Sequence, residues 1–404
     1  MEKYRTSEKA FTRNRKLTFV SLVLLQLNML KRSLQKELVH FFELIKSPVH
    51  ITKSAFCQSR MQLKPEAFLD LNDTLVSGFY DEYDYQTWYG HRLLAIDGST
   101  LNLPYSEEII EHFGRQKNQT EIAFAMARIS TCYDVLNEIM VEPIIAPYET
   151  SEYAMAVRHL EKLRKGDIVV FDRGYGAIWL FFLLKMRGIG FITRVQRNLF
   201  PRIWESEWSD RVITISACSK ESKEQMRRLG LIFKPIKIRI IKVKLNTGEI
   251  EVLVTSLLDD KKYGESVFEQ LYALRWGIEG KYNHLKNHVE IENFSGKSSV
   301  AVKQDFFANV LIENLRSLIA REAQIEVDEA KRKAEHQYKV NRNLSLGFLK
   351  DELVRILLSN DPECIEKIKK LFAIEPVSIR KGRHHDRKFH TSIRRFRMNY
   401  RRSI

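Results

Sequence analysis

Cysteine is scarce in this chain of 404 residues, and it is not clustered. The four cysteines, Cys57, Cys132, Cys218 and Cys364, lie far apart, and no pair has Cys-x-x-Cys spacing. The sequence therefore argues against a zinc site and against a disulfide framework. It fits a protein of a reducing compartment.

Glycine and proline are also few, at 17 and 9 residues, whereas 44% of the chain is hydrophobic. This balance is typical of a globular protein and not of a disordered one. A chain of 404 residues is long enough for two or three domains with a sizeable core.

Long apolar runs that could cross a membrane are missing as well. Residues 17–30, LTFVSLVLLQLNML, imitate a signal peptide, but this run is too short to span a bilayer. It contains Gln26 and Asn28, and it continues into Lys31 and Arg32 without a small-x-small cleavage site. The segment is predicted to be a buried helix, and we expect no contact with a membrane.

Positive charge is what the chain has in excess, with 66 basic and 51 acidic residues and a net charge of +15. Such an excess favours a polyanionic partner, either nucleic acid or an anionic membrane. The basic tail from Arg380 to Arg402 carries Phe389, Phe396 and Tyr400 among its cations. We interpret it as an electrostatic contact to DNA or RNA, the alternative being a disordered tail that aids solubility.

Residues 1–90 are predicted to form a helical DNA-binding region. Two short helices, at 33–44 and 52–61, follow each other, and Thr52 can cap the second. This pair indicates either a helix-turn-helix that reads DNA or an ordinary helical bundle. The polar side chains offered by the second helix are Lys53, Ser54, Gln58 and Arg60.

Strands are predicted from about residue 91, and the first part of a catalytic core spans residues 91–195. Three strands, a helix, a strand, a helix and a last strand follow in the order of an RNase H-like mixed α/β sheet, in which the first and fourth strands are neighbours. These two strands are the apolar runs that end in Asp97 and Asp172, each before a turn with glycine. The two aspartates are thus expected side by side at the carboxyl ends of the strands.

Residues 196–262 are predicted to be a β-rich insertion, whose last two strands, 236–245 and 250–254, form a hairpin. The longer strand alternates apolar and basic residues, with a slip at Ile240-Ile241 that a β-bulge would explain. This basic side either contacts phosphates or belongs to a solvated edge strand. Its members are Lys237, Arg239, Lys242 and Lys244.

The second part of the core, residues 263–325, contains the segment YALRWGIEGKYNHLK at 272–286, and a helical region with the basic tail follows at 326–404. On a helix with about 100° per residue, one face presents an acid between cations, which suits a metal ligand beside a phosphate. A solvated helix with an Arg275–Glu279 pair is the alternative. The polar face holds Tyr272, Arg275, Glu279 and Lys286, beside an anchoring stripe of Leu271, Ile278, Tyr282, Leu285 and Val289.

Three carboxylates are therefore expected to converge, those of Asp97, Asp172 and Glu279. Oxygen ligands of this kind suit Mg²⁺ or Mn²⁺, and two such ions about 4 Å apart can activate a nucleophile and stabilise the leaving oxygen of a phosphodiester. Arg275 and Lys286 are predicted to hold phosphates nearby.

The spacing of Tyr272, Arg275, Glu279 and Lys286 resembles the YREK signature of a large family of bacterial insertion-sequence transposases. Asp97 within IDGST and Asp172 within VFDRGY look like the first and second catalytic motifs of that family. The similarity covers most of the chain and includes the sequence Asn-Phe-Ser-Gly at 293–296.

This resemblance implies a DDE transposase with a β-strand insertion. Such enzymes bind the terminal inverted repeats of their element, pair the two ends in a synaptic complex, release a 3′-OH by attack of water and join it to target DNA. Asp97, Asp172 and Glu279 are implied as catalytic metal ligands, and the other signature residues as DNA-binding. Several relatives hold a flipped base on an aromatic residue of the insertion, a role for which Trp204 and Trp208 are candidates, although either is equally suited to the core.

The resemblance leaves three functions to compare. The first is an active transposase, which is expected to act as a homodimer on double-stranded transposon ends and target DNA. The second is a catalytically silent DNA-binding protein, such as a repressor of the element ends, and the third is an RNase H-fold nuclease without end specificity. The protein is expected in the cytoplasm, associated with the nucleoid.

Overall fold

A computed structural model describes residues 1–12, 16–116, 124–244, 248–359 and 361–380. The predicted basic tail from residue 381 onwards lies outside these residues, as does the turn at 245–247.

A mixed sheet of nine strands organises the chain. Its first five long strands are β1 (Leu93–Asn102), β3 (Phe124–Asp134), β4 (Ile139–Pro147), β5 (Ile168–Phe171) and β6 (Gly190–Arg194), and a short β2 (Arg115–Gln116) pairs with β3. The spatial order is β4-β3-β1-β5-β6, with β1, β5 and β6 parallel and the other pairs antiparallel. This is the RNase H-like order, and the predicted fold class is confirmed.

Strand β1 continues beyond Asp97, where the sequence predicts its end. Its continuation is stabilised by β3, which pairs with β1 from Asp97 opposite Thr131 to Asn102 opposite Met126. Its parallel pairing with β5, by contrast, ends at Ile96 opposite Phe171. Asp97 is therefore a point where β1 loses one neighbour and keeps the other.

The inserted strands extend this same sheet. Strands β7 (Asp210–Ile215), β8 (Ile236–Lys244) and β9 (Ile250–Thr255) follow β6 in the order β6-β9-β8-β7, all antiparallel. The hairpin of β8 and β9 is confirmed.

Two expectations for β8 are wrong. The strand lies between β9 and β7, so it is not an edge, and its register runs without a bulge. The alternation of apolar and basic residues is interrupted at Ile240-Ile241 because both faces of the strand are buried. Ile238 and Ile240 pack on one face, and Ile241 packs on the other. Arg239 takes a core position there, 1% exposed, with its Nε 2.8 Å from Asp210 Oδ1. The basic residues therefore do not form one side.

Helices cover the sheet. Between the strands lie α5 (Glu107–Phe113), α6 (Glu152–His159), α7 (Ile178–Met186), α8 (Pro201–Trp204) and α9 (Lys220–Arg228). After β9 come α10 (Glu265–Leu274), α11 (Trp276–Asn287) and the 32-residue α12 (Ser299–Ala330). The chain continues with α13 (Arg342–Ser359) and α14 (Pro362–Ala373), and with a two-stranded sheet of β10 (Gln337–Lys339) and β11 (Val377–Ile379).

The helices before the sheet are α1 (Phe19–Asn28), α2 (Leu34–Leu44), α3 (Lys53–Arg60) and α4 (Glu66–Glu82). They share one hydrophobic core with α12, α13 and α14. Helix α1 is largely buried, as predicted for residues 17–30, and Thr52 caps α3 by accepting the N–H of Ala55. Among the described helices, none has the length and apolar content that a membrane crossing requires.

Arg60 does not offer the polar surface contact predicted for it. Its side chain is 2% exposed and reaches across to α12, with Nη2 2.9 Å from Asp305 Oδ1 and Nε 2.9 Å from Gln304 Oε1. Nη1 donates to Ser295 Oγ at 2.7 Å, in the loop that follows α11. Arg60 thereby joins α3 to the core, whereas Lys53, Ser54 and Gln58 are exposed.

Candidate active site

The parallel register of β1 and β5 brings Asp97 and Asp172 together. Ile96 lies opposite Phe171 at the last paired position, and each of these residues is followed in the chain by one of the aspartates. Both apolar runs are fully buried, so the sheet interior fixes where they end. The sequence-based expectation of neighbouring carboxylates at this point agrees with the register.

Asp97 is the more enclosed of the two acids. Burial raises its pKa to about 7, and the negative charges of Asp172 and Glu279 add to this, although a hydrogen bond from the Gly98 N–H and the charge of Arg275 oppose it. The Gly98 nitrogen lies 2.8 Å from Asp97 Oδ1. The carboxylate is thus held by its own backbone in a negative environment that a cation would relieve.

Asp172 begins a short 3-10 turn over Arg173–Tyr175. Its Oδ1 accepts the N–H of Gly174 at 2.7 Å, which orients the carboxylate as the cap of this turn. Gly174 suits this position because a Cβ there would lie 3.0 Å from that same oxygen. The DRG sequence therefore fixes the local geometry of the second acid.

Glu279 reaches the same region from α11. Helices α10 and α11 meet at Arg275, whose Nη2 donates to Glu279 Oε1 at 2.8 Å. The guanidinium lies 5.6 Å from the ring centroid of Tyr272 and 4.9 Å from that of Trp276. Asp172, Tyr272, Arg275 and Glu279 line one cavity of about 460 Å³.

The segment predicted to be one helix is divided at Arg275 into α10 and α11, and the apolar stripe predicted for it is buried. Leu271, Ile278, Tyr282, Leu285 and Val289 are all buried. Behind them, Glu313 of α12 is fully buried and contacts two cations and a histidine: Lys281 Nζ at 3.9 Å, the Nε of Arg316, and His284 Nε2 at 3.1 Å. Burial alone would raise the pKa of Glu313, but the charges of Arg316 and Lys281 hold it well below its usual range. This cluster anchors α11 from the side opposite Glu279.

Lys286 lies apart from the other signature residues. It is partly buried, its Nζ donates to Ser99 Oγ at 2.7 Å, and it does not line the cavity beside Asp172. Its contact with Ser99 places it two positions along β1 from Asp97.

Among the described residues that line the cavity beside Asp172, neither Trp204 nor Trp208 is present. The centroid of the Trp208 ring lies 5.9 Å from the Arg211 guanidinium and 5.4 Å from Lys242 Nζ.

Several residues at the site carried no signal in the sequence. Arg194 and Glu251, from β6 and β9, form an ion pair of 2.7 Å in the cavity wall. Glu152 of α6 lies against Gly98, where a Cβ would be 3.1 Å from its Cγ, and it pairs with Arg128 at 2.7 Å. These contacts join strands or helices that are distant in the sequence, so no local pattern predicts them.

The carboxylates offer hard oxygen ligands, which fit Mg²⁺ or Mn²⁺ better than a soft metal. Within the described ranges, however, no three His, Cys, Asp or Glu side chains form a ready-made metal site. Arg275 and the backbone N–H groups of Gly98 and Gly174 hold the three acids in their present positions. The donor set fits such an ion, and binding would require Glu279 to exchange part of its contact with Arg275.

Comparison with known proteins gives a match to the family model of the transposase DDE domain over residues 88–315. The transposase InsG for insertion sequence element IS4 of Escherichia coli (strain K12) is 21% identical over 271 residues, which cover 66% of this chain and 60% of that protein. The putative transposase InsZ of the same strain is 25% identical over 142 residues, covering 34% of this chain and 47% of InsZ. The chain thus matches about three fifths of InsG and just under half of InsZ.

Among solved structures, the cryo-EM structure of the piggyBac transposase synaptic complex with hairpin DNA aligns over 88% of this chain and 75% of that chain. The TM-score is 0.43 and the sequence identity 11%.

Proposed function

This chain belongs to the transposase DDE domain family, and we propose that it cleaves DNA at the ends of an insertion sequence and joins the released 3′-OH ends to target DNA. One observation carries the proposal. Asp97 and Asp172 directly follow the last residue pair of two buried parallel strands, and Glu279 shares a cavity with Asp172. Each acid is thus held by a different rigid element.

We propose that Asp97, Asp172 and Glu279 hold divalent cations, Mg²⁺ or Mn²⁺, two in number. Bound in this way, the ions would activate the attacking oxygen and stabilise the leaving oxygen of a phosphodiester. The raised pKa of Asp97 supports this role, because burial and the charges of Asp172 and Glu279 disfavour the ionised carboxylate, and a bound cation would favour it.

The remaining signature residues would hold DNA phosphates. Arg275 Nε is buried and has no hydrogen-bond partner among the described residues, so a phosphate oxygen could satisfy this donor. Tyr272 lines the same cavity, and Lys286 would serve the DNA backbone on the Ser99 side. A pair of transposon ends would be held by two copies of the chain.

The test uses duplex DNA that carries the inverted repeats flanking the reading frame, incubated with the protein and Mg²⁺. Wild type is expected to nick at the element end, and Asp172→Asn to bind the duplex without cutting it. Asp73→Asn is a matched control, because Asp73 pairs with Lys162 at the surface and does not line the cavity beside Asp172. Cleavage by Asp172→Asn at the wild-type rate would refute the proposal.

The same experiment separates the other candidates. A silent DNA-binding protein would bind the ends and leave them uncut in both Mg²⁺ and Mn²⁺. A nuclease without end specificity would cut a scrambled duplex of the same length as fast as the end-bearing one.

A further inference from the structure

We infer that Ser130, Thr193 and Tyr282 are positioning residues, whose hydroxyl groups hold the backbone carbonyls of Asp97 and Asp172 and so keep the two carboxylates ready for metal ions. This inference rests on the proposed function and deepens it. Its basis is that both acids lie where the β1–β5 ladder has just ended.

The carbonyl oxygen of Asp97 accepts two hydroxyl donors. Ser130 Oγ, from β3, lies 2.9 Å away, and Tyr282 Oη, from α11, lies 2.8 Å away. Both side chains are buried, so water does not compete for these bonds. Tyr282 belongs to the helix that carries Glu279, and its hydroxyl therefore ties the first acid to the element that bears the third.

A buried chain of groups supports Ser130 from behind. Its Oγ lies 2.9 Å from His159 Nε2, and His159 Nδ1 lies 2.7 Å from Glu142 Oε2. Burial lowers the pKa of His159, so its neutral imidazole has one proton, which Nδ1 donates to Glu142. Ser130 Oγ therefore has two acceptors at 2.9 Å for its single hydroxyl proton, the carbonyl oxygen of Asp97 and Nε2 of His159. The orientation of His159 is fixed by Glu142.

Asp172 has the same arrangement on the neighbouring strand. Thr193 Oγ1, from β6, lies 3.0 Å from the carbonyl oxygen of Asp172 and 3.1 Å from that of Arg194, so the two acceptors share its hydroxyl proton, and Thr193 is fully buried. Two acids on two strands thus each have a backbone carbonyl held by a buried hydroxyl from a flanking strand.

These bonds matter most at Asp172, because a residue past the end of its strand is free to change its backbone dihedrals and so to swing its carboxylate, whereas Asp97 is still paired with β3. Metal-ligand sites tolerate displacements of about 0.5 Å, and the groups that orient ligands typically change metal affinity or activity 10–100-fold when removed. Loss of these hydroxyl contacts should therefore weaken metal binding while the fold and DNA binding persist.

The chain offers a matched pair of variants for the test, Thr193→Val and Thr255→Val. Thr255 is also fully buried, in β9, and its Oγ1 donates to the carbonyl of Phe191 at 2.7 Å, which is not a site residue. It also accepts the N–H of Leu257 at 3.1 Å, so each of the two threonine hydroxyls contacts two backbone groups. Thr193→Ser keeps the hydroxyl and serves as the rescue variant.

The readout is the affinity for Mn²⁺, measured by calorimetry on the complex with an already cleaved end, together with the Mn²⁺ concentration for half-maximal single-turnover cleavage. Thr193→Val is expected to weaken both by about tenfold or more. Thr255→Val and Thr193→Ser should stay within about threefold of wild type, and all variants should bind DNA equally.

Equal Mn²⁺ affinity for Thr193→Val and Thr255→Val would overturn the inference, as would failure of Thr193→Ser to restore it. If Thr193→Val does not fold, Ser130→Ala and Tyr282→Phe provide the same comparison for Asp97. A wild-type protein that binds no Mn²⁺ and cuts no DNA would refute the proposed function itself, and the positioning role would fall with it.

Discussion

The substitution Glu313→Gln measures how firmly α11, and with it Glu279, is held against the core. Glu313 is fully buried among Lys281, His284 and Arg316, and its removal as a charge leaves these groups without their shared anion. At an effective dielectric constant of about 20, one cation at 3–4 Å interacts with the carboxylate by roughly 4–5 kcal/mol. Part of this is offset because the buried carboxylate itself no longer has to be desolvated.

Breaking a buried ion pair from one side typically costs about 3–5 kcal/mol, and we expect a loss of this size in the free energy of unfolding. Burial lowers the pKa of Lys281 to about 8, so this lysine can lose its proton in the variant and limit the damage. The expected value is therefore nearer the lower end of the range. Urea denaturation followed by tryptophan fluorescence measures it.

Glu352→Gln is the matched control. Glu352 also contacts two cations, Lys367 Nζ at 2.6 Å and Arg355 Nη1 at 3.0 Å, but those partners are 53% and 58% exposed. Exposed pairs contribute about 0–1 kcal/mol, so this variant should unfold almost as wild type does. A Glu313→Gln variant within about 1 kcal/mol of Glu352→Gln would refute the reasoning about buried charge.

The pH dependence of the free energy of unfolding tests the same cluster. The pKa of Glu313 in the folded protein lies well below the ordinary 4.5, so its stabilisation is fully present above pH 4.5 and is lost as the pH falls towards the folded value. The stability difference between wild type and Glu313→Gln should therefore shrink below pH 4.5. A difference that grows on acidification would contradict the assignment.

Three further perturbations have definite expected outcomes. Gly296→Ala brings a Cβ within 2.6 Å of Ala301 Cβ and should lower the free energy of unfolding by about 1–3 kcal/mol. Gly78→Ala has open space in α4 and should raise the free energy of unfolding by about 0.4–1 kcal/mol. Thermal unfolding measures both variants, and a shift of the two melting temperatures in the same direction would contradict the packing. Arg60→Met leaves Asp305 buried without its cation and should cost about 3–5 kcal/mol in urea denaturation, and a neutral result would argue against the buried pair. Deletion of residues 380–404 should weaken DNA affinity and flatten its dependence on salt in gel-shift titrations, while an unchanged salt slope would exclude the tail from the contact.

The sheet order and the anchoring stripe of α11 could be predicted because both rest on local patterns. An apolar run that ends in an acid marks a buried strand, and residues at helical spacing mark a buried face. The register at Ile96 and Phe171 and the burial of Leu271 and Ile278 agree with those patterns.

Local patterns do not predict the buried arginines, because Arg and Lys are seldom fully buried unless they are paired and the partner is distant in the sequence. The partner of Arg60 is Asp305, 245 residues away, and that of Arg239 is Asp210, 29 residues away. No spacing rule relates such positions. The sequence does not predict the contacts of the Ser130, Thr193 and Tyr282 hydroxyl groups for a similar reason. Each is an ordinary strand or packing residue in its local pattern, and its contact depends on how the strands pair.

The union of the inserted strands with the core sheet has a consequence for how the chain reaches its native state. Strand β6 receives β9 as its outer neighbour, and 55 residues separate Arg194 from Ile250 at the ends of these strands. Until β9 arrives, the edge of β6 carries unpaired backbone groups, which favour association with other chains. Such non-local pairings are slow to form because a long loop must close first. The helix that bears Glu279 follows β9 in the sequence, so Glu279 should join Asp172 late in folding, and a chain interrupted within the insertion should aggregate.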